Sequence, residues 1–374
     1  MKLFNRILVI VFPVAVSIAL LLAFTGTAES TILNPVTISR SHPADAAGWV
    51  KQTVQSTGDV GMSTSIALDS SNRPHISCYD LTNGNLRYAR WNGTAWIKQT
   101  VDSTGNVGLL SSITLDSSNR PHISYWDLTN ENLKYARWTG TAWNKQAVQS
   151  TNAVGEYTSI ALGSSNRPHI SYYDYTNRNL RYARWNGTAW VKQTVDSPGN
   201  VGQYTSLAID SNNRPHISYY DYDNENLKYA RWNGTAWDIQ FVDLPGNVGE
   251  YSSIALDSNN RPHISYYDST NGNLKYTRWN GTAWVKQTVD SIGNVGKYTS
   301  IALDSNNRPH ISYYDSTNGN LKYARWTGTA WVKQVVDSAG NVGEYSSIAL
   351  DSGNHPHISY YDHTNGNLKY AKHP

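Results

Sequence analysis

The chain has 374 residues but only one cysteine, Cys78, two methionines and four phenylalanines. A lone thiol cannot close an internal disulfide, and nothing repeated around it forms a metal set. Stability must therefore come from packing. Charge is sparse as well: charged side chains are 16% of the chain and the formal net charge is +3. The signs alternate, and no basic block tracks a phosphate backbone, so nucleic acid is not an expected partner. Beyond the first 30 residues no segment holds a helical period long enough to compete with strands.

What the chain has is repetition. Tryptophan recurs at Trp49, Trp96, Trp143, Trp190, Trp237, Trp284 and Trp331, always 47 residues apart. A strict period of 40 to 50 residues signals a stacked or ring architecture. Tryptophan (14) and tyrosine (26) dominate the aromatics. Such rings carry a polar edge, which suits half-buried strands and also sugar or protein contact surfaces. Cys78 stands where the other six units have tyrosine, from Tyr125 to Tyr360, and reads as a substitution at a packing position.

The N-terminus differs in kind. Lys2 and Arg6 precede an apolar run from Ile7 to Phe24, and small residues follow at Gly26-Thr27-Ala28. This is the layout of a secretory signal peptide over 1–28, with an uncleaved membrane anchor as the alternative. Either places the repeats in an extracellular or cell-surface setting. Residues 29–48 are polar and Pro-containing and read as a linker.

Each unit offers four strand-like segments. In one copy they are Tyr298–Asp304, Pro309–Asp315, Leu321–Trp326 and Ala330–Val336, rich in β-branched and aromatic residues and bounded by Asn, Gly, Asp and Ser. Asn-Gly between the third and fourth strands is a strong hairpin signal. The Asp-Ser-x-Gly-Asn-Val-Gly segment after the fourth strand is the natural crossover. Four antiparallel strands repeated radially predict an all-β, seven-bladed β-propeller over 49–374. The first repeat begins with only a fourth strand, at Trp49, and the last stops after a third, near Leu368. Joining them closes the ring and hides both edges. An open β-solenoid would leave these half-units unpaired.

The repeated LDS-x-N-x-PHISYYD…NLKYA text resembles secreted, mostly bacterial propeller repeat proteins, over residues 49–374. The resemblance implies an extracellular seven-bladed propeller and no defined chemistry. There is also a loose similarity to propeller lectins, in repeat number and aromatic content. The signatures of WD-repeat propellers and of sialidase Asp-boxes are absent.

Three repeated sets are candidate sites. The first is a ring of histidines from His75 to His357, which a structural hydrogen bond across the first hairpin explains better than metal or acid–base work. The second is the pair ending the second strand: Tyr79-Asp80, Trp126-Asp127, Tyr173-Asp174, Tyr220-Asp221, Tyr267-Asp268, Tyr314-Asp315 and Tyr361-Asp362. A carboxylate beside an aromatic ring can bind sugar; the alternative is that each Asp caps its own loop. The third is the Trp pair flanking each hairpin, such as Trp91 with Trp96 and Trp185 with Trp190. These rings either pack the blades or, if exposed in an inter-blade groove, form stacking platforms. Asn92, Asn186, Asn233 and Asn280 match glycosylation acceptors, but turn chemistry explains them.

No catalytic set, metal site or cofactor is expected. Residues unique to one blade (Cys78, Trp126, Gly163, Asp238 with Phe241, His355, His363) form no acid–base or nucleophile pair. The sequence points to a non-catalytic binding or adhesion propeller, with glycan the favoured ligand and a surface protein next. A purely structural propeller and a sialidase-like enzyme are the alternatives. A membrane partner enters only if the N-terminal segment stays uncleaved. The slot after Val-Gly is the most variable: Met62, Leu109, Glu156, Gln203, Glu250, Lys297 and Glu344. A ligand bound identically seven times should avoid it.

Overall fold

The structure, a computed structural model, describes residues 46–374. The expected signal peptide or anchor (1–28) lies outside the described residues, as does the expected linker up to residue 45.

Seven four-stranded antiparallel sheets make up the described chain. In six, the strands follow chain order, as in Val107–Leu115, Pro121–Asp127, Asn132–Trp138 and Trp143–Gln149. The seventh takes Val342–Leu350, Pro356–Asp362 and Asn367–Lys372 from one end of the chain and Val50–Gln55 from the other. Val50 pairs with Lys372 and Thr53 with Lys369. The ring is thus closed by the N-terminal strand, as the two half-units require. Blades are numbered 1 to 7 by their inner strands, which start at Val60, Val107, Val154, Val201, Val248, Val295 and Val342.

The inner strands begin three residues earlier than the pattern suggests. Each contains a bulge, as where the pairing register slips between Lys297 and Ser300. The bulge puts Tyr298 at φ +52° and Gly296 at φ +111°. Glycine is needed at the second position for a further reason. A Cβ on its counterpart Gly108 would stand 2.6 Å from the Cα of Leu86 in the preceding blade.

Second strands such as Pro121–Asp127 are buried at every position, because neighbouring blades cover both faces. The core therefore lies between blades. One such cluster joins Leu86, Tyr88 and Val101 of blade 1 to Val107, Ile123 and Tyr125 of blade 2. Cys78 takes the tyrosine slot in the cluster between blades 7 and 1, fully buried. Polar clasps repeat around the ring. Ser65 Oγ accepts from Ile113 N at 3.2 Å. At the turn, Asn119 Oδ1 accepts from Ser70 N at 3.0 Å and its Nδ2 donates to Ser70 Oγ at 2.8 Å. The same clasp crosses the seam, where Asn72 Oδ1 accepts from Ser352 N at 3.1 Å.

Candidate functional site

The disc has two unlike faces. One carries the crossovers and the loops after the second strands. The other carries the turns between first and second strands and the Asn-Gly hairpins.

On the crossover face the Tyr–Asp pairs are not open to a ligand. Tyr79 is 3% exposed and Asp80 1%, and the pairs in the other six blades, including Trp126-Asp127, are buried likewise. Tyr79 donates to Asn106 Oδ1 of the next crossover at 2.7 Å, as Tyr173, Tyr220, Tyr267 and Tyr314 do to their own crossover asparagines. Tyr361 uses Asp59 instead. Asp80 Oδ1 accepts from Asn83 N at 3.0 Å, and the same loop cap recurs at Asp127, Asp174, Asp221, Asp268, Asp315 and Asp362. Loop capping, the alternative weighed above, is what these carboxylates do. The sugar-facing expectation for this set is corrected accordingly: the next crossover folds over the ring, and the loop takes the carboxylate.

The centre of this face holds a feature that strand patterns do not reveal. The bulged residues line a central cavity of about 210 Å³. Tyr157, Tyr204, Tyr251, Tyr298 and Tyr345 form an arc with successive ring centroids 4.5–4.7 Å apart. Ser63 and Leu110 interrupt it in blades 1 and 2. Beside the arc lie the variable-slot residues. Burial raises the Glu250 carboxyl above its usual range against the pull of Lys297, and raises Glu344 against the pull of His363. Here the sevenfold repeat is broken, because only five of the seven blades supply a tyrosine.

On the hairpin face, clefts open between adjacent blades. Those between blades 2 and 3 and between blades 5 and 6 measure about 390 and 330 Å³. The Trp pairs belong here, and their two members differ. Trp190 packs edge-on against Tyr135 of the preceding blade, with centroids 5.3 Å apart, and its Nε1 donates to Gln146 Oε1 at 3.3 Å. Trp96 does the same with Tyr370 and Gln52 across the seam. These inner members hold blades together. The outer members, Trp91 and Trp185, sit 5.6 Å from them in T-shaped contact and are half-buried. Trp185 lines the cleft between blades 2 and 3, and Trp326 the one between blades 5 and 6.

Each cleft combines that indole with donors from both blades. Between blades 2 and 3 these are Arg137 and Gln146 of one blade and Arg167 of the next. Between blades 5 and 6 they are Arg278, Gln287 and Arg308. Gln287 Oε1 accepts from Trp331 Nε1 at 3.0 Å, which leaves its amide nitrogen as the donor to the cleft. The arginines of the third strand were missed as site residues. Their signal was strand alternation, which turns Arg137 and Arg278 outward between buried Ala136 or Thr277 and half-buried tryptophan.

The histidine ring is structural. Tyr88 OH and His75 Nδ1 lie 2.6 Å apart, and Asp69 stays 3.6 Å from Nε2. The hydrogen bond therefore runs to the third strand rather than across the first hairpin. The Asp69 oxygens are already taken by the Ser71 and Arg73 backbone N–H groups and by Arg73 Nε at 2.7 Å. Burial pushes the His75 imidazole down to about 4 against the attraction of Asp69. Among the described residues no group of three His, Cys, Asp or Glu side chains is placed to hold a metal ion.

No protein-family model matches the sequence, and no curated protein matches it. Solved structures share the fold. The chain is similar to YCF48 from Cyanidioschyzon merolae at 13% identity and a TM-score of 0.58, over 87% of this chain and 98% of that one. It is similar to an ulvan lyase of a new polysaccharide lyase family at 12% identity and a TM-score of 0.56, over 86% and 96% of the two chains. An Aleuria aurantia lectin superposes with a TM-score of 0.49 at 16% identity, over 74% and 95%. At these identities the likeness to the first two shows the propeller fold alone.

Proposed function

We propose that this propeller is a multivalent, non-catalytic glycan-binding module of an extracellular or cell surface, and that its sites are the inter-blade clefts of the hairpin face. The carrying observation is the outer tryptophan: Trp185 and Trp326 are half-buried in clefts of sugar size beside guanidinium and amide donors. An indole packs on the C–H face of a sugar while donors bind its hydroxyls. Repetition on a rigid disc adds avidity on a surface that presents many ligand copies. The extracellular setting rests on the Lys2, Arg6 and Ile7–Phe24 pattern. A glycan-array screen of the full-length protein tests the reading. Selective binding, lost when the outer tryptophans are changed to alanine, supports it. A folded protein that binds no glycan returns the weight to a protein-binding or structural propeller.

A second reading has its own observation. Glu250 and Glu344, both raised by burial, precede Tyr251 and Tyr345, which line a single asymmetric cavity at the axis. A carboxyl raised by burial is the kind of group a general acid requires, so one axial site in an enzyme is the competitor.

A further inference from the structure

The clefts are not equivalent, and the difference assigns a ligand class. In blades 1, 2, 4 and 5 the turn arginine is held by its own turn carboxylate. Arg73, Arg120, Arg214 and Arg261 each place Nε 2.7–2.8 Å from Asp69, Asp116, Asp210 and Asp257. Such a guanidinium is neutralised before any ligand arrives. Blade 3 has Gly163 in place of that aspartate, and its turn tightens into a short 3-10 segment at Ser164–Asn166 with no side-chain cap. Arg167 therefore has no carboxylate in its own turn. Its Nη2 extends over the hairpin, where a Cβ added to Gly187 would meet it at 3.9 Å. Arg308 of blade 6 takes the same path, toward Gly328 at 3.8 Å by the same measure, although Asp304 is present and caps the Arg308 backbone N–H at 2.7 Å.

Each of these arginines shares its cleft with a second one: Arg137 lines one cleft with Arg167, and Arg278 the other with Arg308. Among the described residues none of these four forms an ion pair within 4.0 Å, and all four are exposed. No carboxylate lines the cleft between blades 2 and 3. The one carboxylate lining the other cleft, Asp257, is engaged by Arg261 at 2.7 Å. Neutral sugar hydroxyls need acceptors as well as donors. A site built of two guanidinium groups, an amide and an indole has a surplus of charged donors, and a carboxylate or sulfate matches their charge and donor number.

We infer that the clefts between blades 2 and 3 and between blades 5 and 6 bind acidic sugars, carrying a uronic-acid carboxylate or a sulfate, through Arg137 with Arg167 and Arg278 with Arg308. The inference rests on the glycan-binding reading and names its ligand class. In blade 3 the glycine at 163 leaves the turn of Arg167 without a carboxylate, whereas Arg308 reaches the same place with Asp304 present.

The test is a titration of full-length protein with oligosaccharides in matched pairs, each sulfated or uronic-acid member beside its desulfated or carboxyl-reduced counterpart. The expected result is two sites per chain that prefer an acidic member by about tenfold or more, the scale of one charge-assisted contact. Arg167→Gln with Arg308→Gln should leave none, with folding checked by far-UV circular dichroism. Equal affinity for both members of every pair, or acidic preference persisting at two sites in the Arg167→Gln, Arg308→Gln variant, overturns the inference while glycan binding stands. Absence of binding to any member overturns both.

Discussion

The indole Nε1 of Trp49 donates to Oε1 of Gln334 at 3.1 Å, although 285 residues separate them. Trp49 also packs edge-on against Tyr323, with ring centroids 5.3 Å apart. The same hydrogen bond joins six of the seven adjacent pairs, as Trp190 does with Gln146, while the Trp237 Nε1 between blades 3 and 4 has no hydrogen-bond partner among the described residues. The seam where the ends of the chain meet is therefore built like an ordinary blade junction. Lys51 adds an ion pair to Asp337 of blade 6 at 3.0 Å.

Trp49→Ala should destabilise the whole domain, by about 3 kcal/mol, the lower end for truncating a largely buried aromatic. Urea denaturation followed by tryptophan fluorescence measures it. A shift below about 1 kcal/mol would mean that the ring does not depend on this closure.

The histidines predict acid sensitivity. Burial lowers His75, His122, His169, His216, His263, His310 and His357 to about 4. Between the unfolded value near 6.5 and about 4, the unfolded chain binds more protons than the folded one. Their contribution is thus complete above about pH 6.5 and is lost as pH falls toward 4, at up to about 1.4 kcal/mol per pH unit for each imidazole. Melting temperature should fall steeply from pH 6.5 to 5. A flat profile there would contradict the neutral, buried assignment.

Cys78 should be inert in the native state, because burial pushes its thiol up to about 12. A thiol reagent such as DTNB should label it in urea and not in buffer. Cys78→Tyr should raise stability by about 1 kcal/mol through added packing. Its precedent is Tyr172, whose hydroxyl donates to Gln149 at 2.6 Å, and Gln55 fills the equivalent position beside Cys78. A loss of stability would show that the pocket has closed around cysteine.

The two members of a tryptophan pair should separate fold from binding. Trp190→Ala removes a blade-to-blade contact and should lower stability by about 2–3 kcal/mol. Trp185→Ala should change stability by less than about 1 kcal/mol and weaken glycan binding instead. Denaturation and array binding on both variants check this; binding unaffected by Trp185→Ala would remove the indole from the site.

The fold was legible because every level agreed: the 47-residue period, the strand alternation and the two half-units all specified one closed ring. The site was less so. Sequence placed Tyr79-Asp80 and its copies on the correct face, but burial depends on how the next blade's crossover folds over them, and no repeat unit alone contains that neighbour. The clefts are hidden for the same reason, since Arg137 and Arg167 meet only across a blade boundary. The axial arc was missed because the bulge brings Tyr157 and Tyr204 to the centre, and a bulge shifts the alternation that strand reading relies on.

The most direct measurement is the stoichiometry of a monovalent oligosaccharide from the array, titrated calorimetrically into the full-length protein. Blade boundaries from 1/2 to 5/6 carry an outer tryptophan with an arginine from each side. At 7/1 Lys372 replaces one arginine, and at 6/7 His373 and His355 replace the tryptophan and an arginine. The account predicts about five sites per chain, abolished together by replacing Trp138, Trp185, Trp232, Trp279 and Trp326 with alanine in a protein that still folds. One site per chain, insensitive to those changes, would contradict it and move the binding to the axial cavity beside Glu250 and Glu344.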